Sequence, residues 1–252
     1  RYEVGVISEV RRDFALLQGC GFGAPGTEAD DPCLEDWRAG RGVYRTNGAV
    51  LGITRRSRPE RPDPDLFVFG LPAAFKGYYP GYSADLERGR QLFTWAILKA
   101  HTRNTAGRVT LRSADPRDPP DVRFRYFEEG NDRDGEDLDS LVVGVAFVRH
   151  LLAHAGETVV REVWPGPHVE TLDELRQFVR DEAWGHHASC TCKIGPSSDP
   201  LAVVGGDFKV HGTRNLRVVD ASVFPRIPGF FIATSVYMVS EKAADVILAE
   251  AS

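Results

Sequence analysis

Apolar and polar residues alternate through Tyr2-Glu3-Val4-Gly5-Val6-Ile7-Ser8, the period-two pattern of a strand, and nothing like a leader precedes it. The sequence is therefore expected to open inside a longer protein. Asp65-Leu66-Phe67-Val68-Phe69-Gly70 reads as a second strand behind the extended, proline-rich connector Arg58 to Pro64. Leu92 to Ala100 and Arg108 to Arg112 are further β-type runs, and Asn104-Thr105-Ala106-Gly107 between them predicts that the two pair as a hairpin. Ala114 to Pro120 is loop material. From Asp139 to Ala153 the apolar positions cover most of a helical wheel, as in a helix buried on several sides. Thr171-Leu172-Asp173-Glu174 is a capping box, and it starts a helix whose apolar face is Leu172, Leu175, Phe178 and Val179, with Gly185 placed to end it. Phe208-Lys209-Val210 and Leu216-Arg217-Val218-Val219 read as short strands around a His211-Gly212 turn. A last helix is expected over about Thr234 to Ala249, with Ala244, Ile247 and Leu248 inward. Strands and helices mix without a regular βαβ alternation, so the fold class predicted is α+β, a large, mostly antiparallel sheet flanked by helices.

Composition narrows the function classes. A length of 252 residues with 42% hydrophobic positions supports a core without staples. The net charge of -5 comes from 31 basic and 36 acidic side chains interspersed along the chain, which excludes a field that would attract nucleic acid or an anionic membrane. The longest apolar run, Leu141 to Val148, is far below the roughly 20 residues of a membrane span. With no signal-peptide pattern at Arg1-Tyr2-Glu3, a soluble, cytoplasmic protein is expected. Four cysteines are too few for a disulfide scaffold, so free thiols are expected. A literal G-x-G-x-x-G runs from Gly21 to Gly26, but Pro25 and the acidic stretch after it open no helix, so it reads as a surface loop rather than a dinucleotide cradle.

The densest chemistry is His186-His187-Ala188-Ser189-Cys190-Thr191-Cys192-Lys193-Ile194-Gly195. Zinc is disfavoured, because adjacent histidines on an extended segment face opposite ways and C-x-C is an uncommon ligand spacing; no metal is expected. A redox dithiol would need C-x-x-C at a helix start. Proton transfer by a histidine and plain packing of histidines and cysteines both stay open on the residues alone.

Those residues, together with Phe208-Lys209-Val210-His211-Gly212, Leu216 to Pro225 and Ser240-Glu241-Lys242-Ala243-Ala244-Asp245, resemble the C-terminal part of the glucose-methanol-choline (GMC) oxidoreductases. Gly107 to Pro116 resembles the same family's substrate domain, so the likeness covers most of the chain. The resemblance implies an FAD-dependent alcohol oxidase or dehydrogenase whose substrate domain occupies residues 1–195, with 196–252 returning to an FAD-binding domain. That domain's N-terminal portion is expected to be a missing partner, without which this chain retains no FAD and is inactive. It implies a small alcohol substrate, with His187 as the residue that takes the hydroxyl proton. It further implies that Asp220, Ala221, Ile232 and Ala233 approach the cofactor through backbone N–H groups. At the position where the family carries a second histidine or asparagine stands Phe231, which cannot hydrogen-bond substrate. Phe230 and Phe231 would instead suit an apolar or aromatic substrate. The alternative implied by Phe231 is a degenerate, non-catalytic binding module of the same fold.

Overall fold

A computed structural model describes residues 1–21, 30–127 and 132–251. The G-x-G-x-x-G run lies, apart from Gly21, outside the described residues. The chain forms two compact units, Tyr2–Trp184 and a second that begins at Gly185 and includes Arg1.

The first unit is built on a five-stranded, wholly antiparallel sheet in the order β2-β3-β4-β1-β7. Its strands are β1 (Tyr2–Val10), β2 (Leu51–Arg55), β3 (Leu66–Leu71), β4 (Leu92–Lys99) and β7 (Val159–Trp164). Four helices accompany them: α1 (Pro32–Arg38), α2 (Tyr82–Arg88), α3 (Glu136–Ala153) and α4 (Leu172–Glu182). Tyr2, Val4 and Val6 of β1, Leu66 and Val68 of β3 and Ile97 of β4 form one sheet face. Leu141, Val145 and Val148 of α3 and Leu175, Phe178 and Val179 of α4 close over it. Gly144 permits the approach of α3, since a Cβ there would lie 2.5 Å from Ile97 Cγ2. The capping box forms as the sequence predicts, with Thr171 Oγ1 accepting from the Glu174 N–H and the Glu174 carboxylate accepting from the Thr171 N–H.

Several expectations are corrected. The run Leu92 to Ala100 does not pair with Arg108 to Arg112. β4 is apolar on both faces and so takes two partners, β1 and β3. β5 (Arg108–Thr110), exposed throughout, pairs instead with β6 (Asp121–Arg123) across the Ala114 to Pro120 loop. Leu172 is exposed because it occupies the first position of α4, outside the buried stripe. Gly185 does not end α4: Ala183 leaves the helix in an extended conformation, which lets Trp184 bridge Glu3 of β1 through two backbone hydrogen bonds of 2.8 and 2.9 Å. Nor are all cysteines free. Cys20 and Cys33 form a disulfide, whereas Cys190 and Cys192 are thiols. Denatured protein titrated with a thiol reagent is therefore expected to show two reactive thiols before reduction and four after it; four at the outset would remove the bridge.

The second unit packs Val204, Phe208, Val223 and Ala243 into a small core. The segments expected as two short strands are held by single bridges, Lys209 to Arg217 and Val204 to Val210, with the Val218 N–H donating to the Phe208 carbonyl. The final helix, α5 (Ala233–Ala251), buries Ala243 and rests Val239 and Val246 on that core, while Ala244, Ile247 and Leu248 are exposed. The inward face is thus offset from the expected one. Apolar residues on several faces of α5 make both choices compatible with the sequence, and the packing of Val204 and Val223 selects between them. Among the described residues no helix is long and apolar enough to cross a membrane.

Candidate active site

The segment that carries the two histidines belongs to the second unit rather than to the sheet, ahead of the boundary at 195 expected from sequence. Its backbone explains why. The N–H groups of Cys190, Cys192 and Ile194 donate to the carbonyls of Ala221, Ser222 and Val223 at 3.2, 2.9 and 2.9 Å. These alternate-residue bonds lay the His187 segment along the turn that follows Val219. Asp220 caps that turn, its carboxylate accepting from the Ser222 N–H at 2.7 Å, so its side chain is spent on local structure and its backbone is fixed. Cys190 sits at φ 72°, a left-handed conformation that any side chain adopts at a cost and that glycine adopts freely.

His187 is half-buried, and its ring lies 6.1 Å from that of Phe231 in an edge-to-face arrangement. The two positions singled out from sequence for the catalytic pair are therefore neighbours. Ile232 and Ala233 follow at once, at the start of α5, where the first turn leaves N–H groups without intrahelical acceptors. Asp220 and Ala221 reach the same segment through the hydrogen bond between Ala221 and Cys190. Two buried polar atoms here have no partner among the described residues, Nδ1 of His187 and Oγ of Ser222. An unpartnered buried donor or acceptor is costly.

Sequence reasoning missed Arg1. Its guanidinium lies 3.4 Å from Nε2 of His187 and 5.3 Å from the centroid of the Phe231 ring. A guanidinium only donates, so Nε2 takes the accepting role and a neutral ring carries its proton on Nδ1. No local signal could have identified it, because 186 positions separate the two residues. His186 stacks edge-to-face on His187 at 4.2 Å; crowding around its ring and the Arg1 charge hold its pKa below the ordinary imidazole value.

The first unit carries a second cluster that was not anticipated. Phe75, Tyr78, Tyr82 and Trp184 meet edge-to-face at centroid distances of 5.2 to 6.4 Å. Gly77, at φ 110°, is flush with Trp184: a Cβ there would sit 3.1 Å from the indole. Glu3, 1% exposed, places its charge near these rings. Burial pushes the Tyr126 hydroxyl up to about 12 with help from Glu3, and burial, Tyr82 and Glu3 raise Tyr78. The density of aromatic residues from Phe75 to Tyr82 was the available signal.

A family model described as GMC oxidoreductase matches residues 103–240. The oxygen-dependent choline dehydrogenase of Staphylococcus aureus is 37% identical over 210 residues, which are 82% of this chain and 35% of that protein. A substituted form of the formate oxidase of Aspergillus oryzae, solved to follow the effect of the substitution on FAD modification, superposes with a TM-score of 0.75 at 23% identity, over 99% of this chain and 46% of that one. The pyridoxine 4-oxidase of Mesorbium loti gives 0.62 at 21% identity, over 80% and 38%. The chain thus spans 35% of the length of the curated relatives it matches.

Proposed function

Since the chain belongs to the GMC oxidoreductases, we propose that it is the substrate-binding and catalytic-histidine portion of an FAD-dependent enzyme that oxidises the CH–OH group of a small alcohol. The observation that carries this reading is His187, half-buried, with Nε2 in an accepting role and Nδ1 unpartnered, on a segment pinned to the turn at Asp220 and beside the start of α5.

FAD, when bound, supplies the hydride acceptor that no side chain here can provide. The residues present fit such a group. Backbone N–H groups at Asp220 and Ala221 suit its phosphate or ribityl oxygens. The start of α5 at Ile232 and Ala233 offers partial positive charge to the electron-rich edge of the flavin ring. His187 accepts the hydroxyl proton as the carbinol carbon gives up its hydrogen with the bonding electrons, so no free alkoxide has to form in advance.

The relatives are two to three times longer than this chain, which supports a cofactor held largely by a further portion of the protein and a chain that is inactive alone. The exposure of Tyr237, Met238 and Leu248 on α5 fits a surface that such a portion covers. For the substrate, Phe231, exposed beside His187, supports an apolar or aromatic group beyond the hydroxyl. The Cys20–Cys33 disulfide favours an oxidising compartment over the cytoplasm.

The test is anaerobic mixing of the longer, flavin-bearing protein with benzyl alcohol, choline and formate, followed by flavin absorbance. Bleaching by benzyl alcohol or choline supports alcohol oxidation and identifies the preferred end group. Bleaching by formate alone overturns the alcohol reading. A flavin that none of a broad alcohol panel reduces would favour the non-catalytic module that Phe231 suggests.

A further inference from the structure

The last turn of α3 carries His150, and His154 caps its C-terminus four positions on; both are exposed, with ring centroids 4.5 Å apart. Residues so spaced stand one above the other on a single helix face. Two imidazoles in that relation can grip one metal ion, as the paired histidines of H-E-x-x-H helices do.

The bonding around His154 defines its tautomer. Its Nδ1 lies 2.8 Å from the carbonyl oxygen of His150. A carbonyl only accepts, so Nδ1 carries the proton and Nε2 holds the lone pair. A backbone carbonyl behind the ring is the partner that orients metal-binding histidines and raises their basicity. The His150 ring makes no hydrogen bond among the described residues, which leaves it able to turn toward the same ion. Both side chains project from a helix that Leu141, Val142, Val145 and Val148 lock into the core, so the face is formed before any ion arrives. The C-terminal end of α3 adds partial negative charge that favours a cation.

We propose that His150 and His154 form a bidentate site for a borderline divalent transition ion, with Cu2+ bound most tightly, Ni2+ and Zn2+ less so, and water completing the coordination shell. Imidazole nitrogen suits these ions and the order follows the general stability series. Mg2+ and Ca2+, which require oxygen ligands, are not held. The site is independent of the proposed alcohol oxidation and uses none of its residues.

Untagged protein titrated with Cu2+ and Ni2+ by calorimetry provides the test. The double variant His150→Gln/His154→Gln is expected to bind one equivalent fewer of each ion than the unsubstituted chain. Each single variant should weaken that equivalent at least tenfold, because one tooth of the chelate is gone. Retention on a nickel-loaded column should fall in parallel, and His168→Gln should change neither. Glutamine keeps the helix, and an unchanged circular dichroism spectrum confirms it. Acidification below the imidazole range should release the ion. The proposal is overturned if the double variant binds as many equivalents as the original, or if single variants bind as tightly as the pair.

Discussion

Replacing His187 with alanine in the flavin-bearing protein is expected to slow substrate-dependent flavin reduction by roughly 10²–10⁴-fold, the range that a positioned proton acceptor contributes. The loss should fall on the rate at saturating substrate. Substrate binding should change little, since the ring supplies a proton acceptor more than contact area. His187→Gln, which can hydrogen-bond but cannot become a cation by taking a proton, should be nearly as slow. Added imidazole should restore part of the rate in the alanine variant and none in an otherwise inactivated one. Rapid-mixing absorbance under anaerobic conditions measures all three. Reduction at an undiminished rate in His187→Ala would remove the residue from the chemistry, and with it the reason to regard the neighbouring Phe231 as a substituted catalytic position.

The largest effect on stability is expected at Lys99. Its side chain is fully buried, with Nζ 3.3 Å from Asp65 and 3.7 Å from Asp137, and it donates to the Ala100 carbonyl at 2.7 Å. Asp65 also accepts from the Ser57 N–H and hydroxyl and pairs with Arg61, which itself contacts Glu136 at the start of α3. Asp137 accepts from the Arg103 N–H. Lys99→Met keeps the length of the chain and removes its charge, leaving two carboxylates buried without their shared cation. Removal of one partner from a buried ion pair costs about 3–5 kcal/mol, and urea denaturation followed by circular dichroism should show a midpoint lowered accordingly. A change under about 1 kcal/mol would mean that water or Arg61 already neutralises these carboxylates.

The pH dependence has a definite sign. Burial alone would raise the Asp65 carboxyl, but Ser57, Lys99 and Arg61 together hold it below the ordinary value. A depressed carboxyl contributes stability that is present above its unfolded pKa and lost as pH falls through the folded one. Asp137 is raised, because burial outweighs Lys99 and the Arg103 N–H, so its contribution runs the other way: it is present in acid and lost as pH rises through the folded value. Without Lys99 both carboxyls titrate higher. The deficit of Lys99→Met should therefore be largest near neutral pH and shrink in mild acid, where the stranded carboxyls can protonate.

Local pattern was sufficient wherever a residue's partners lie within a few positions. β1, β3, β4, the capping box at Thr171 and the existence of α3 and α5 were all legible, because alternation, helical periodicity and side-chain capping are properties of short segments. The His187 segment, the Asp220 turn and the start of α5 were legible for a different reason: their residues recur together, in order, in the family they resemble. Pairing was not legible. β4 takes β1 and β3 rather than the nearby β5 because it is apolar on both faces, and which strands satisfy two faces depends on the whole sheet. The inward face of α5 was misjudged for the same reason, since Ala243 and Ala244 are equivalent until Val204 and Val223 pack against one of them.

The sequence by itself determined β1, β3, β4, the helices α3 to α5 and the α+β class, all consequences of neighbouring residues, while His187 was singled out as candidate proton acceptor by the family its segment resembles. Only the tertiary structure decided the partners of β4, the Cys20–Cys33 bridge, the buried Lys99 between two aspartates, and Arg1 beside His187. Each of these joins residues brought together by the packing of whole elements, a relation set by global burial and absent from any local window.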